Sequence, residues 1–301
     1  MTQADTARSA MAEESWTALG NASARAAETP RADRLFADPL AERFLAAVEG
    51  AAPAGTAPAS DRDPGAAARP PVPPPDLMRM IGDSIVVKTR FFDDFFATAC
   101  AAGCRQAVLL AAGLDTRAFR LPWPDRLRLF EADLPGLFDF KEAVLGAAAA
   151  RPTCDRVVVR TDLRDDWPGA LRASGLDPDL PTAWLAEGML GFLTPEACDR
   201  VLGGVNALSA PGSRLGLDHT HDGAVHTPHL RPILAGVGSS IDDMIKGGPE
   251  VPADQWLARH GWRVEVHDIV ERAAAYGRPA PALFQGERAG HARILHTAVR
   301  P

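Results

Sequence analysis

The residues best suited to chemistry lie between Ala107 and Asp133, in the run AVLLAAGLDTRAFRLPWPDRLRLFEAD. An apolar stretch ends in a turn of small residues, Ala111-Ala112-Gly113, and a helix start follows. A second apolar stretch, Leu127 to Phe130, ends on the acids Glu131 and Asp133. Small residues at such a turn let a ligand approach backbone. A carboxylate about 20 residues further on is placed to grip a ribose diol. This is the first half of a nucleotide-binding βαβ unit. No GxGxxG occurs in the chain, so the turn suits a nucleoside ligand without a pyrophosphate better than a nicotinamide dinucleotide. Glu131 and Asp133 compete for the diol, and spacing alone does not separate them.

A second concentration of reactive side chains is Asp218-His219-Thr220-His221-Asp222, continuing to His226 and His229. Four of the eight histidines fall within eleven residues here. Three readings stay open: a solvated polar loop, a general base drawn from His219 or His221, or a metal site of irregular spacing. The four cysteines (Cys100, Cys104, Cys154, Cys198) include one close pair and no second one, which points to buried free thiols rather than zinc. No metal is expected.

The elements that must position these residues follow from periodicity. Residues 1–48 read as helices, with Leu35, Phe36, Leu40, Phe44, Leu45 and Val48 at three- and four-residue intervals and Asp38-Pro39 marking a helix start. Residues 50–75 hold eight prolines and one bulky apolar side chain, Val72, so this segment is expected to be a mobile loop. Helical spacing returns over 77–101, where Ile85, Val86, Phe92, Phe95 and Phe96 form a stripe. Strands are expected at 107–111, 127–132, 156–160, 183–187, 213–218, 262–267 and 292–298, separated by helices of crossover length. The chain should therefore be α/β, a Rossmann-like doubly wound sheet of seven mostly parallel strands. An N-terminal helical cap (1–101) would precede the core (102–301), with an insertion at about 219–250 on the acceptor side. Trp16, Phe36 and Met244 are candidate walls there. Ligands on such sheets lie beyond the carboxyl ends of the strands. The residues to inspect are therefore Gly113, Asp133, Asp162 and Glu187.

With 46% hydrophobic residues among 301, a substantial core is available. A formal charge of −7 argues against nucleic-acid binding. No apolar run approaches a membrane span, and the polar N-terminus does not read as a secretory signal, so a cytoplasmic protein is expected.

The strand ends also carry a resemblance. TRFFDDFF (89–96), LLAAGLDTRAFRLPWP (109–124), FEADLP (130–135), TDLRDDWP (161–168), WLAEGMLGFL (184–193) and LSAPGSRL (208–215) resemble the leucine carboxyl methyltransferase family. That family includes bacterial S-adenosylmethionine-dependent methyltransferases and polyketide O-methyltransferases of secondary metabolism. The likeness extends to AAETPRADRLFADPLAERF (26–44), WLARHGWRVEV (256–266) and AAAYGRP (273–279). It implies a class I methyltransferase fold, S-adenosyl-L-methionine as cofactor and a small-molecule acceptor methylated on oxygen. Arg90 would meet the methionine carboxylate, and Gly113 would lie beneath the cofactor. Asp133 would hold the ribose, Asp162 and Leu163 would frame the adenine, and Glu187 would sit near the transferred methyl. Where the family has Gly-x-Gly, this chain has Ala111-Ala112-Gly113.

Each residue has a plainer reading. Arg90 is spaced to pair with Asp94 on a helix. Asp162 is placed to cap a helix at the RDDW turn. Glu187, ending an apolar strand, demands a polar partner, either cofactor or arginine. Asp115 reads as a helix cap, with Arg117 and Arg120 pairing nearby acids. Because no base accompanies the cofactor-side motifs, a carboxylate acceptor is favoured. The alternatives are a hydroxyl acceptor with a histidine base and a catalytically silent cofactor-binding protein.

Overall fold

The computed structural model describes residues 16–50, 75–220 and 245–301. The Pro/Ala-rich loop, most of the 219–250 insertion, His221, His226, His229 and Met244 lie outside the described residues, as does the Trp16 side chain.

Three helices come first: α1 (Trp16–Glu28), α2 (Pro39–Gly50) and α3 (Pro75–Ala101). As the Asp38-Pro39 pair predicts, Asp38 accepts from the Ala41 N–H at 3.1 Å and caps α2. Strands and helices then alternate: β1 (Gln106–Leu110), α4 (Arg117–Arg120), β2 (Arg128–Asp133), α5 (Pro135–Ala147), β3 (Asp155–Arg160), α6 (Trp167–Ala173), β4 (Thr182–Ala186), α7 (Pro195–Ala207) and β5 (Arg214–Asp218). The chain closes with α8 (Ala253–Arg259), β6 (Arg263–His267), α9 (Ile269–Ala275) and β7 (Leu295–Val299).

The strands form one sheet in the order β3-β2-β1-β4-β5-β7-β6. All neighbours are parallel except β7, which runs antiparallel between β5 and β6. The order reverses between β1 and β4, so the loops after these strands diverge and leave a crevice at their carboxyl ends. Six expected strands fall within a residue of the observed bounds. The seventh starts three residues late, because Ala292 and Ile294 bury their side chains in a bend before the ladder begins.

Both faces of the sheet are covered, which is why β1 and β4, from their second residues on, read as continuous apolar runs rather than alternating ones. Alternate residues still go to different sides. Val108, Leu110 and Trp184 pack with α6, α7 and α8, whereas Ala107, Leu109 and Leu185 pack with α3 and α9. The phenylalanine stripe of α3 lies directly on the sheet. A Cβ at Gly216 would come within 3.3 Å of both Phe92 and Phe95, so glycine on β5 is what lets α3 approach so closely. A third cluster, including Leu19, Phe44, Leu114 and Phe140, fastens α1 and α2 over the loop after β1.

Candidate active site at the strand tips

A cavity of about 680 Å³ opens at the carboxyl ends of β1, β2 and β4. Gly113, Asp133, Asp162, Leu163 and Glu187 all line it, so five of the six residues expected to hold a cofactor converge on one space. Its other side is closed by α1, through Thr17, Asn21 and Arg25.

The floor is built by a turn that requires left-handed backbone. Ala111 and Gly113 both have φ of 51°. This geometry directs the Gly113 N–H onto Asp133 Oδ2 at 2.6 Å, while Oδ1 accepts from the Leu134 N–H at 2.7 Å. Burial raises the Asp133 carboxyl above its ordinary range, and the two N–H donors oppose the rise. Each oxygen keeps a further lone pair for a ligand hydroxyl. The rivalry with Glu131 is resolved by burial. Glu131 is wholly enclosed and paired with Lys141 and Arg156, away from the cavity.

Asp162 does not cap a helix. Its Oδ1 accepts from the Arg164 N–H at 2.8 Å, and the Arg164 guanidinium folds back on the same carboxylate and lowers its pKa. The cap of α6 is Asp166, which accepts from Gly169 N–H at 2.9 Å. The RDDW turn offers several acids, and only the last is in register with the helix.

Glu187 finds an arginine. Arg117 Nη1 donates to Glu187 Oε2 at 2.9 Å and to Asp115, while Nε meets Asp93 Oδ1 at 2.8 Å. Arg117 is 1% exposed, so one buried cation ties α3, the loop after β1 and the tip of β4 together. Arg120 completes the group with a two-pronged contact to Asp93. Burial would lift the Asp115 carboxyl, but Arg117, Arg25 and Arg120 outweigh it and hold the group at about 2.

The leucine carboxyl methyltransferase family model matches residues 18–206. The chain belongs to this family. It is 43% identical over 267 residues to a provisionally named S-adenosyl-L-methionine-dependent methyltransferase of Streptomyces avermitilis, covering 87% of this chain and 88% of that one. A provisionally named counterpart in Streptomyces coelicolor is 42% identical, with 90% of each chain covered. Among solved structures, a methyltransferase-like protein from Thermobifida fusca superimposes with a TM-score of 0.50 at 20% identity, over 73% of this chain and 83% of that one. That likeness supports the fold.

In this family member, Arg90 does not reach the cavity wall. Its Nε donates to Asp94 Oδ1 at 3.0 Å, Nη1 to the Leu35 carbonyl, and the guanidinium lies over the Tyr276 ring. Arg90 instead forms the helix pair that spacing also suggested. The cause is rotation about α3. Lys88, two residues earlier and about 200° around the helix, is the cation that turns toward the strand tips. Its Nζ sits 2.9 Å from Asp218 Oδ2, and Asp218 Oδ1 accepts from the Gly188 N–H at 2.7 Å.

His219 is buried against Gly248, where an added Cβ would come within 2.4 Å of the imidazole. It lines a separate recess of about 220 Å³ with Asp254, His291 and His296, not the main cavity. Phe36 stacks under the Arg120 guanidinium and forms no part of the cavity wall. Among the described residues no cluster of His, Cys, Asp and Glu is arranged to hold a metal, and no helix is long and apolar enough to cross a membrane.

Sequence reasoning missed Arg25, Asn21 and Lys88. Arg25 stands one residue before the first segment carrying the family resemblance. Nothing in local spacing shows that α1 folds back over the strand tips.

Proposed function

We propose that this methyltransferase, with S-adenosylmethionine as donor, esterifies the carboxylate of a small-molecule acid. The observation that carries the acceptor class is the composition of the cavity wall. Among its described residues there is no histidine, tyrosine or cysteine. A carboxylate, with a pKa of about 4, arrives already ionised and needs no base, whereas a phenol near 10 would require one.

The donor's fit rests on the residues present. Asp133 has acceptor capacity left for two ribose hydroxyls, Asp162 can accept from an adenine amino group, and Leu163 offers an apolar face. Bound there, S-adenosylmethionine supplies an electrophilic methyl on a sulfonium. Glu187, held by Arg117, presents negative charge where such a cation would lie. The apolar walls from Leu109, Leu110, Leu185 and Met189 keep water from the approach of an anion to a cation, so positioning and desolvation supply the rate.

The test uses methyl-labelled donor with a panel of small organic acids and phenols. Label released as methanol by mild alkali identifies an ester and supports the reading. Label that survives alkali is not an ester and overturns the acceptor class.

A further inference from the structure

The acids that suit the donor follow the order of the strands. Asp162 comes just after β3, Asp133 ends β2, and Glu187 comes just after β4. In-line displacement puts the acceptor across the methyl from the sulfur, further along the same edge of the sheet. The next strand along that edge is β5, which ends at Asp218. An anionic acceptor arriving there meets the charges of Glu187 and Asp218, so a cation must receive it.

The face of α3 that carries the phenylalanine stripe supplies one. Phe92 packs at Gly216, and Lys88, one turn earlier, reaches Asp218. Followed toward the N-terminus of α3, this face therefore leads past the end of β5. The Lys88 side chain is 14% exposed, and Asp218 takes one of its three ammonium donors. Arg117, also beside Glu187, is enclosed and shared among three acids. Burial alone would lower the Lys88 pKa, but Asp218 and Glu187 outweigh it and keep the amine a cation rather than a base. Asp218 is itself held by the Gly188 N–H, and Gly188 lines the cavity, so the anchor of Lys88 is joined to the cavity wall.

One turn beyond Lys88, about 6 Å along the helix axis, comes Ser84 on the same face. It is 4% exposed, and its Oγ is buried with no hydrogen-bond partner. A helical serine can return its hydroxyl to a carbonyl one turn back, and this one does not. Such a group costs stability unless a ligand meets it, and it lies past the strand ends, where ligands of these sheets bind.

We propose that Lys88 and Ser84 together bind the carboxylate of the methyl acceptor, so that this face of α3 selects an acid over its neutral analogues. One carboxylate oxygen takes the ammonium and the hydroxyl, and the other stays free to attack the methyl. Asp218 positions Lys88 and does not touch the acceptor.

The inference rests on the carboxylate-acceptor reading, and matched acids and amides test it with the donor site filled by S-adenosylhomocysteine. The probes are hexanoate with hexanamide and benzoate with benzamide, titrated by nuclear magnetic resonance. The unaltered protein is expected to bind each acid about 10-fold more tightly than its amide. Lys88→Met should erase that preference while leaving affinity for the amides and for S-adenosylhomocysteine unchanged, and Lys88→Arg should restore it. Ser84→Ala should weaken the acids by about 3- to 10-fold without lowering thermal stability, because it removes a hydroxyl that bonds nothing in the fold. Equal binding of acid and amide by the unaltered protein, a preference that survives Lys88→Met, or loss of S-adenosylhomocysteine in step with the acids would overturn the site. If Lys88→Met fails to fold with Asp218 stranded, its combination with Asp218→Asn provides the same comparison. Esters formed at an unchanged rate by Lys88→Met would overturn the site and leave the ester reading standing. A methylated product that resists alkali would remove the ester reading and this inference with it.

Discussion

Lys141 Nζ lies 2.8 Å from Glu131 Oε2, and both side chains are wholly shielded from solvent. Arg156 adds a second contact to the same oxygen at 2.7 Å. The acid nearer the middle of β2 is thus consumed by structure, leaving Asp133, at the strand's end, for a ligand. Lys141→Met should therefore lower stability by about 3 kcal/mol, because it breaks a buried pair rather than replacing it. Donor affinity should stay as it is. Urea denaturation alongside calorimetry checks both halves.

Asp133→Asn should show the opposite balance. It replaces an acceptor-only group with an amide whose NH₂ opposes one of two backbone donors. Affinity for S-adenosylhomocysteine should fall by about 10- to 100-fold. An unchanged dissociation constant would show that the ribose contact lies elsewhere.

Ala111 holds a left-handed conformation that side-chain-bearing residues adopt at a cost of about 1 kcal/mol. Ala111→Gly should relieve it, with part of the gain lost to the added freedom of the unfolded chain. A rise in stability of up to about 1 kcal/mol is expected. A loss on denaturation would mean that the Ala111 methyl packs more usefully than its backbone strains.

The acid limb of stability should carry the signature of Asp115. Its folded pKa, about 2, lies below the ordinary carboxyl value of 3.8. The folded state therefore binds this proton less readily than the unfolded one. The resulting stability is complete above about pH 4 and is lost as pH falls toward 2. Asp115→Asn should flatten the stability profile within that window, after an overall loss from weakening the Arg117 cluster. A profile whose acid slope matches that of the unaltered protein would place the acid sensitivity in other carboxylates.

His219→Ala is expected to leave the pH dependence of turnover unaltered, because the ring faces a recess apart from the main cavity. The same should hold for His221→Ala if the acceptor is a carboxylate. Loss of the acid-side limb in either variant's rate profile, where a protonated base is inactive, would revive a general base.

Period and punctuation determine much of this molecule. After their polar first residues, Gln106 and Thr182, the β1 and β4 runs are apolar because helices cover both faces, and that pattern is readable without coordinates. Gly113, Asp133, Asp162 and Glu187 were legible as residues just after strands, since a parallel sheet brings all its carboxyl ends to one edge. Direction around a helix and the return of distant segments were not. Arg90 and Lys88 differ by two positions on α3, and only packing of the phenylalanine stripe on the sheet decides which one faces the strand tips. Glu131 and Asp133 differ likewise along β2, and only the burial of Lys141 beside the former separates them. Arg25 depends on α1 folding across a turn about 90 residues further along the chain, a contact created by tertiary burial and invisible to local spacing.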